Sequence, residues 1–295
     1  MLETYGVLIG GLILVMLGAD SFLKGASGLA QGRGVGGFSA GLALVAVGAS
    51  VPELAIATVA LARGHDALAV GTVTDCYQPI ERELKLTRSV IELFNETSHP
   101  LGLVTKSSGV ERDMDLLAPM AQRRLAAVYV TVTTLDAALA RTLEPRAAAP
   151  HRRLRTIRAL ADQGVPVGVS VAPQIPFVND DMEQVLEAAW DAGARTAFYT
   201  VLRLPWEVAP LFREWLAVHY PQRADRVMAR IHDMRGGKDY DADFSNRMKG
   251  QGLWAQLIAQ RFQKACARLG FNRERFSLDT TAFRRPAPAG QQALF

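Results

Sequence analysis

The sequence predicts an α/β fold, a partial parallel (β/α) barrel, preceded by two transmembrane α-helices. Two observations predict this fold class. Residues 1–71 carry few charges, whereas most of the chain's 33 basic and 29 acidic residues lie beyond them. From residue 72 onward, short apolar runs alternate with amphipathic stretches, as in parallel α/β sheets. The first composition suits lipid and the second suits water.

Two long apolar runs predict the membrane part. Residues 4–23 are apolar or small almost throughout, and few polar side chains interrupt residues 36–62. Each run reaches the roughly 20 residues that a spanning helix needs. A signal peptide is the alternative for the first run, but Glu3 precedes that run without a Lys or Arg. We therefore expect two membrane helices, with membrane contact through residues 5–62.

A carboxylate in the second run suggests a cation site. Glu53 follows Pro52 in the run Gly48-Ala49-Ser50-Val51-Pro52-Glu53. A charged side chain in mid-membrane costs about 2.5–3.5 kcal/mol, so it is expected to face a cavity and bind or relay an ion. Pro52 breaks the helix and exposes carbonyl oxygens, which suit Ca²⁺ or Na⁺. The alternative is a Pro-kinked helix whose Glu53 reaches the membrane interface.

Four motifs surround this position: Gly18-Ala19-Asp20, Gly25–Ala30, Gly41-Leu42 and Gly48–Leu54. With them, residues 5–71 resemble the first alpha-repeat of the sodium/calcium exchanger family. The resemblance implies that Glu53 and Ser50 are cation ligands, although Ala49 stands where the family usually has Thr. The family forms its site between two inverted repeats. Because no second motif of this kind follows, we expect no transport by one such chain.

Beyond residue 72 the pattern predicts alternating strands and helices. The predicted strands are Leu101–Thr105, Ala126–Val132, Pro166–Ala172 and Thr196–Leu202. Helices are expected near 81–96, 111–123, 150–163 and 181–192. Functional side chains of such folds lie where strands end.

Polar side chains stand at these strand ends, namely Thr74, Asp75, Lys106, Thr131 and Thr133. The Lys106 ammonium could hold a carboxylate, and the two later threonines could bond a sugar hydroxyl. Ordinary helix capping by Thr or Asp is the alternative at each position. For the set as a whole, the sequence favours a ligand site.

The motifs around these residues are Thr74-Asp75-x-Tyr77-Gln78-Pro79-Ile80-Glu81, Val104–Ser107, Val130–Asp136, Leu143–Ala147 and Val171–Asp180. They resemble the radical SAM proteins of the spore photoproduct lyase-like group, from residue 72 to about residue 272. The resemblance implies an incomplete radical-SAM-type (β/α) barrel that binds S-adenosylmethionine. The implied cofactor-binding residues are Thr74 and Asp75 for the amino group, Lys106 for the carboxylate, Thr131 or Thr133 for the ribose, and Glu144 and Arg153 at the same rim.

The resemblance also implies a [4Fe–4S] cluster held by three cysteines in a C-x3-C-x2-C loop. The sequence has two cysteines, Cys76 and Cys266, which lie far apart. We therefore expect no cluster, no catalytic residue and a catalytically inactive remnant. Nucleic acid is a partner suggested by the resemblance, without a basic patch interleaved with aromatic residues to support it.

These interpretations divide the chain near Gly71. We expect an exchanger-like membrane segment at 1–71, a truncated barrel at 72–205, a helical extension at 206–272 and a disordered tail at 273–295. The absence of a linker at Gly71 favours a fusion of two incomplete pieces, by genomic rearrangement or by sequence assembly. The expected location is the bacterial inner membrane if the N-terminal segment is genuine, and the cytoplasm otherwise.

Overall fold

The described part of the chain is organised around one parallel sheet. A computed structural model describes residues 67–72, 74–243, 245–274 and 276–284. The strands are β1 (Leu68–Val70), β2 (Leu101–Thr105), β3 (Ala126–Thr131), β4 (Val167–Gln174) and β5 (Thr196–Val201). Each strand pairs in parallel with the next one along the chain. All carboxyl ends therefore lie at one edge of a five-stranded half-barrel.

Helices supply the crossovers that parallel strands require. Between the strands lie α1 (Glu81–Leu84), α2 (Leu86–Glu96), a 3₁₀-helix (Ser108–Asp113), α3 (Met114–Gln122), α4 (Ala137–Leu143), α5 (Pro150–Asp162) and α6 (Met182–Asp191). After β5 follow α7 (Val208–His219), α8 (Ala224–Met234) and α9 (Gly252–Leu269).

One face of the sheet packs against the helices and forms the core. In β2, Leu101 and Leu103 are fully buried, whereas the alternate residues Gly102 and Val104 are half-buried. The helices contribute buried apolar side chains to this core, among them Ile91, Phe94, Leu117, Met120, Ile157, Leu160, Val185 and Leu186. The alternation in β2 and β5 leaves the opposite face of the sheet accessible. That accessible face forms one wall of the candidate site.

The outer edge of β5 is covered by residues that follow it in the chain. The Asn272 side chain accepts a hydrogen bond from Ala197 N (2.9 Å) and donates one to Ala197 O (3.0 Å). Farther along the strand, Val201 N donates to Met248 O (2.9 Å). These bonds satisfy backbone groups that an open edge would leave available for pairing with another chain.

The predicted fold class is wrong in its membrane part. Within the described residues, no helix is long and apolar enough to cross a membrane. The longest described helix, α9, has 18 residues but carries Arg261, Lys264 and Arg268. The runs that predict membrane helices, 4–23 and 36–62, lie outside the described residues. What the structure describes is the parallel α/β sheet.

The predicted strands of that sheet are confirmed closely. The strand predicted at Leu101–Thr105 has the same bounds, and the other three differ by one or two residues. β1 begins at Leu68, before the boundary predicted at Gly71.

Part of the stretch predicted to be a disordered tail contacts the sheet domain. Arg124 Nη2 donates to Ser277 O (2.9 Å), and Asp279 N donates to Arg124 O (2.8 Å). The Phe283 ring packs edge-on against His99, with centroids 5.4 Å apart. Residues 285–295 lie outside the described ranges.

Candidate functional site

A cavity of about 610 Å³ opens at the carboxyl end of the sheet. This volume lies within the roughly 300–1,000 Å³ that is usual for small-molecule sites. The strand register places Thr131, Ser170 and Phe198 in one row on the accessible face, and Lys106 continues that row past the end of β2. All four residues line the cavity. The row therefore presents an ammonium group, two hydroxyls and an aromatic ring to a ligand.

The turn after β1 is held by Asp75. Its carboxylate accepts hydrogen bonds from Thr105 Oγ1 (2.7 Å), Lys106 N (2.6 Å) and Tyr77 N (2.9 Å). Thr74 and Asp75 both line the cavity. Because three donors already occupy the Asp75 carboxylate, this residue fixes the loop at the end of β2 as well as contributing to the cavity wall.

Glu144 links two cations at the rim. Its Oε1 contacts Lys106 Nζ, and its Oε2 lies 2.7 Å from Arg153 Nη2. Burial opposes ionisation of Glu144, but the charges of Lys106 and Arg153 outweigh it and hold the pKa below its usual value. Glu144 is therefore a carboxylate that neutralises part of the positive charge at this end of the cavity.

Thr133 and Arg153 lie behind the cavity wall. Thr133 Oγ1 is 2.9 Å from Glu144 Oε1 and 2.8 Å from Ala172 O. Arg153 is 2% exposed and donates to Thr131 O (3.0 Å) and Ala148 O (2.6 Å). The residues predicted from the sequence thus form two layers, with Thr74, Asp75, Lys106 and Thr131 at the cavity and Thr133, Glu144 and Arg153 supporting them.

Several cavity residues are missed by the sequence reasoning, namely Ser170, Phe198, Thr200, Arg203 and Met248. The alternation along β4 and β5 could have found the first three, since Phe198 and Thr200 occupy half-buried positions of one face. Arg203 and Met248 follow β5 in irregular segments, so no periodicity indicates where they lie.

The cysteines do not fit an iron–sulfur cluster of the expected kind. Such a cluster needs three thiolates close together, and the chain has two cysteines. Cys266 is buried in α9, and burial raises the pKa of its thiol to about 11. Among the residues that the structure describes, no three or more His, Cys, Asp or Glu side chains lie together as a metal ion would need. The predicted cation ligands Ser50 and Glu53 lie outside the described residues.

Comparison with known proteins supports the exchanger-like segment. The family model for the sodium/calcium exchanger protein matches residues 3–74, well under half of the chain. A sodium/calcium exchanger of Methanosarcina acetivorans is 40% identical over 67 residues, which are 23% of this chain and 19% of that exchanger. The N-terminal segment is therefore exchanger-like in sequence, as the motifs around Glu53 predict.

Two other relatives match longer stretches. An uncharacterised protein of Mycobacterium tuberculosis is 31% identical over 165 residues, 55% of this chain and 48% of that protein. An uncharacterised protein of Methanocaldococcus jannaschii is 27% identical over 153 residues, 52% of this chain and 56% of that protein. The chain spans about half the length of these relatives. Their names give no function, so the radical SAM resemblance stays a prediction.

Proposed function

We propose that the half-barrel binds S-adenosylmethionine, or a close analogue, without cleaving it reductively. The row of polar and aromatic side chains along one cavity at the carboxyl end of the sheet is the observation that carries this proposal. Parallel α/β sheets bind ligands at this edge. The cavity presents groups that suit an amino acid joined to a nucleoside, because a cation, hydroxyls and an aromatic ring follow one another across four strands.

Lys106 would hold the carboxylate of the methionyl group. An ammonium has three donors, so contact with Glu144 leaves donors for a ligand. Thr131 and Thr74 line the cavity and would offer hydroxyls to the ribose and the amino group. Glu144, held in turn by Arg153, would fix the position of the Lys106 ammonium before a ligand arrives. Preorganisation of this kind reduces the entropic cost of binding.

No redox step is assigned to this site, because the cysteines of the chain do not fit a three-thiolate cluster. The proposal is therefore one of binding. It makes the half-barrel a domain that could sense or sequester the ligand.

Equilibrium titration of the full chain with S-adenosylhomocysteine tests this proposal. We expect Lys106→Met to weaken binding about tenfold or more, because a hydrogen bond to a charged group contributes about 1.5–3 kcal/mol. Lys264→Met is the matched control, since Lys264 is exposed on α9. The proposal fails if the unaltered chain does not bind, or if both variants bind as it does.

A second candidate function, handling of Ca²⁺ or Na⁺ by the exchanger-like segment, is the one that the comparisons favour. The family match over residues 3–74 and the Methanosarcina acetivorans exchanger support it. Glu53 and Ser50 would be the cation ligands, and the chain would associate with the bacterial inner membrane through this segment. The whole activity of an exchanger is a proposal here, because the chain covers 19% of that relative.

Equilibrium binding of radioactive calcium to vesicles that contain the full chain tests the second candidate. We expect Glu53→Gln to abolish binding, because the amide removes the negative charge that attracts the cation. Glu207→Gln, at an exposed position after β5, should leave binding unchanged. Vesicles of the unaltered chain that bind no calcium above empty vesicles would contradict the proposal.

A further inference from the structure

Arg203 lies at the β5 end of the cavity and has more N–H groups than it has hydrogen-bond partners. Its Nη2 donates to Tyr240 Oη (3.1 Å), and its Nη1 lies 3.8 Å from Met248 Sδ. Its Nε is buried and has no hydrogen-bond partner. A guanidinium carries five N–H donors in a fixed fork. Arg203 can therefore donate to a ligand in the cavity that it lines.

The charge of Arg203 is not neutralised locally. No carboxylate of the described residues lies within ion-pair distance of it. The neighbouring Arg235, 1% exposed, donates to carbonyl oxygens of Leu202 (2.7 Å) and Asn246 (3.0 Å). Burial lowers the pKa of Arg235 and the charge of Arg203 adds to this, against the opposing effect of Asp241. The Arg203 guanidinium is consequently a cation of the cavity wall that has no ion-pair partner among the described residues.

The opposite end of the cavity has a different electrostatic character. There Lys106 is paired with Glu144, which Arg153 also contacts. β2 and β5 are separated by β3 and β4, so the backbones that carry the two cations are about 14 Å apart at roughly 4.8 Å per strand. The cavity therefore receives two cations from different strands, Lys106 paired with Glu144 and Arg203 in no ion pair with a described carboxylate.

Two aromatic rings contact each other on the face of the sheet that carries the cavity-lining row. The rings of Phe198 and Tyr129 are 5.4 Å apart between centroids. A Cβ at Gly168 would lie 2.3 Å from Tyr129 Cε1, so the glycine is required for the Tyr129 ring to lie in this position. Phe198 lines the cavity. Phe198 belongs to the same row as Lys106, so a planar group of the ligand at the Lys106 end could stack there.

We infer that the β5 end of the cavity is a separate anion subsite, in which Arg203 binds a phosphate-bearing ligand. The planar, forked guanidinium matches phosphate oxygens bidentately, which makes phosphate the preferred anion. The inference rests on the proposed function in one respect, since it assigns S-adenosylmethionine to the Lys106 end. The ligand class is thus a small phosphate-bearing molecule.

Calorimetric titration of the full chain with inorganic pyrophosphate tests this subsite. We expect Arg203→Met to weaken binding at least tenfold and Arg203→Lys to retain part of the affinity. Arg268→Met is the matched control, because Arg268 is exposed and lies 3.7 Å from Glu187. It should bind as the unaltered chain does. The partial affinity of Arg203→Lys for pyrophosphate separates loss of the subsite from loss of folding.

A second titration at saturating S-adenosylhomocysteine separates the two ends. Pyrophosphate affinity unchanged within about twofold supports two subsites, whereas displacement shows one shared site and overturns the inference. Absence of pyrophosphate binding, or equal binding by Arg203→Met, also overturns it. If S-adenosylhomocysteine fails to bind while pyrophosphate binding still depends on Arg203, the proposed function fails and the anion subsite stands.

Discussion

Glu144 contacts two cations at one end of the cavity, Lys106 and Arg153. Its side chain is 8% exposed and lies between Lys106 and the buried Arg153. Removing one partner of a buried ion pair costs more than the pair contributes, because the remaining charge stays buried without compensation. Loss of the Glu144 carboxylate would therefore leave Lys106 and Arg153 without the partner that they share.

We expect Glu144→Gln to lower the free energy of unfolding by about 3 kcal/mol at neutral pH. The pKa of Glu144 is lowered in the folded chain from its ordinary value of 4.5. Its stabilising contribution is therefore complete above pH 4.5 and is lost as the pH falls through the lowered pKa. Urea unfolding at several pH values measures the difference.

Glu83→Gln is the control for this prediction, since Glu83 is exposed on α1. It should change stability by no more than about 0.5 kcal/mol. Two results would contradict the role given to Glu144. One is a Glu144→Gln variant as stable as the unaltered chain, and the other is a difference in unfolding free energy that increases as the pH falls.

The sequence predicts individual site residues where a strand end indicates them. Lys106 and Thr131 follow apolar runs with clear strand character, so their position at the carboxyl edge could be predicted. Arg203 could not, because its place at the cavity depends on packing against Tyr240 and Met248. Such contacts join residues about 40 positions apart and leave no local pattern.

At the scale of elements, β5 depends on Asn272 for its outer edge. This asparagine has a φ of 59° and exchanges two hydrogen bonds with Ala197. We expect Asn272→Ala to lower the free energy of unfolding by about 2 kcal/mol, because two part-buried backbone groups lose their partners. Chemical denaturation measures this change.

Asn272→Gly serves as a second variant, because glycine adopts the positive φ without strain. It should remain destabilised if the lost bonds are the cause. Recovery of full stability by Asn272→Gly would show that backbone strain, and not the edge bonds, explains the effect. Gln263→Ala, at an exposed position of α9, controls for general sensitivity.

Strand prediction succeeds for β2 to β5 and misses β1. The later strands are bounded by polar and turn residues, which mark their ends. β1 has three residues, Leu68–Val70, and follows another apolar stretch, so hydropathy does not indicate where it begins. These residues form a strand because they pair with Leu101–Leu103 of β2, which lie more than thirty residues later in the chain.

At the scale of the whole molecule, an exchanger-like segment and a parallel α/β sheet follow one another in the sequence without a linker. Residues 3–74 are exchanger-like, and the parallel sheet already begins at Leu68. The overlap means that β1 and Thr74 belong both to the matched segment and to the half-barrel. Amino-acid composition predicts that the apolar segment ends near this position. It does not show that the last residues of that segment form β1.

A crystal structure of the full chain with S-adenosylhomocysteine tests the central claim most directly. We predict ligand density along the row from Lys106 to Phe198, with the carboxylate within hydrogen-bond distance of Lys106 Nζ. An empty cavity at saturating ligand, or a ligand bound on another surface, would contradict the claim that this edge of the sheet is the binding site.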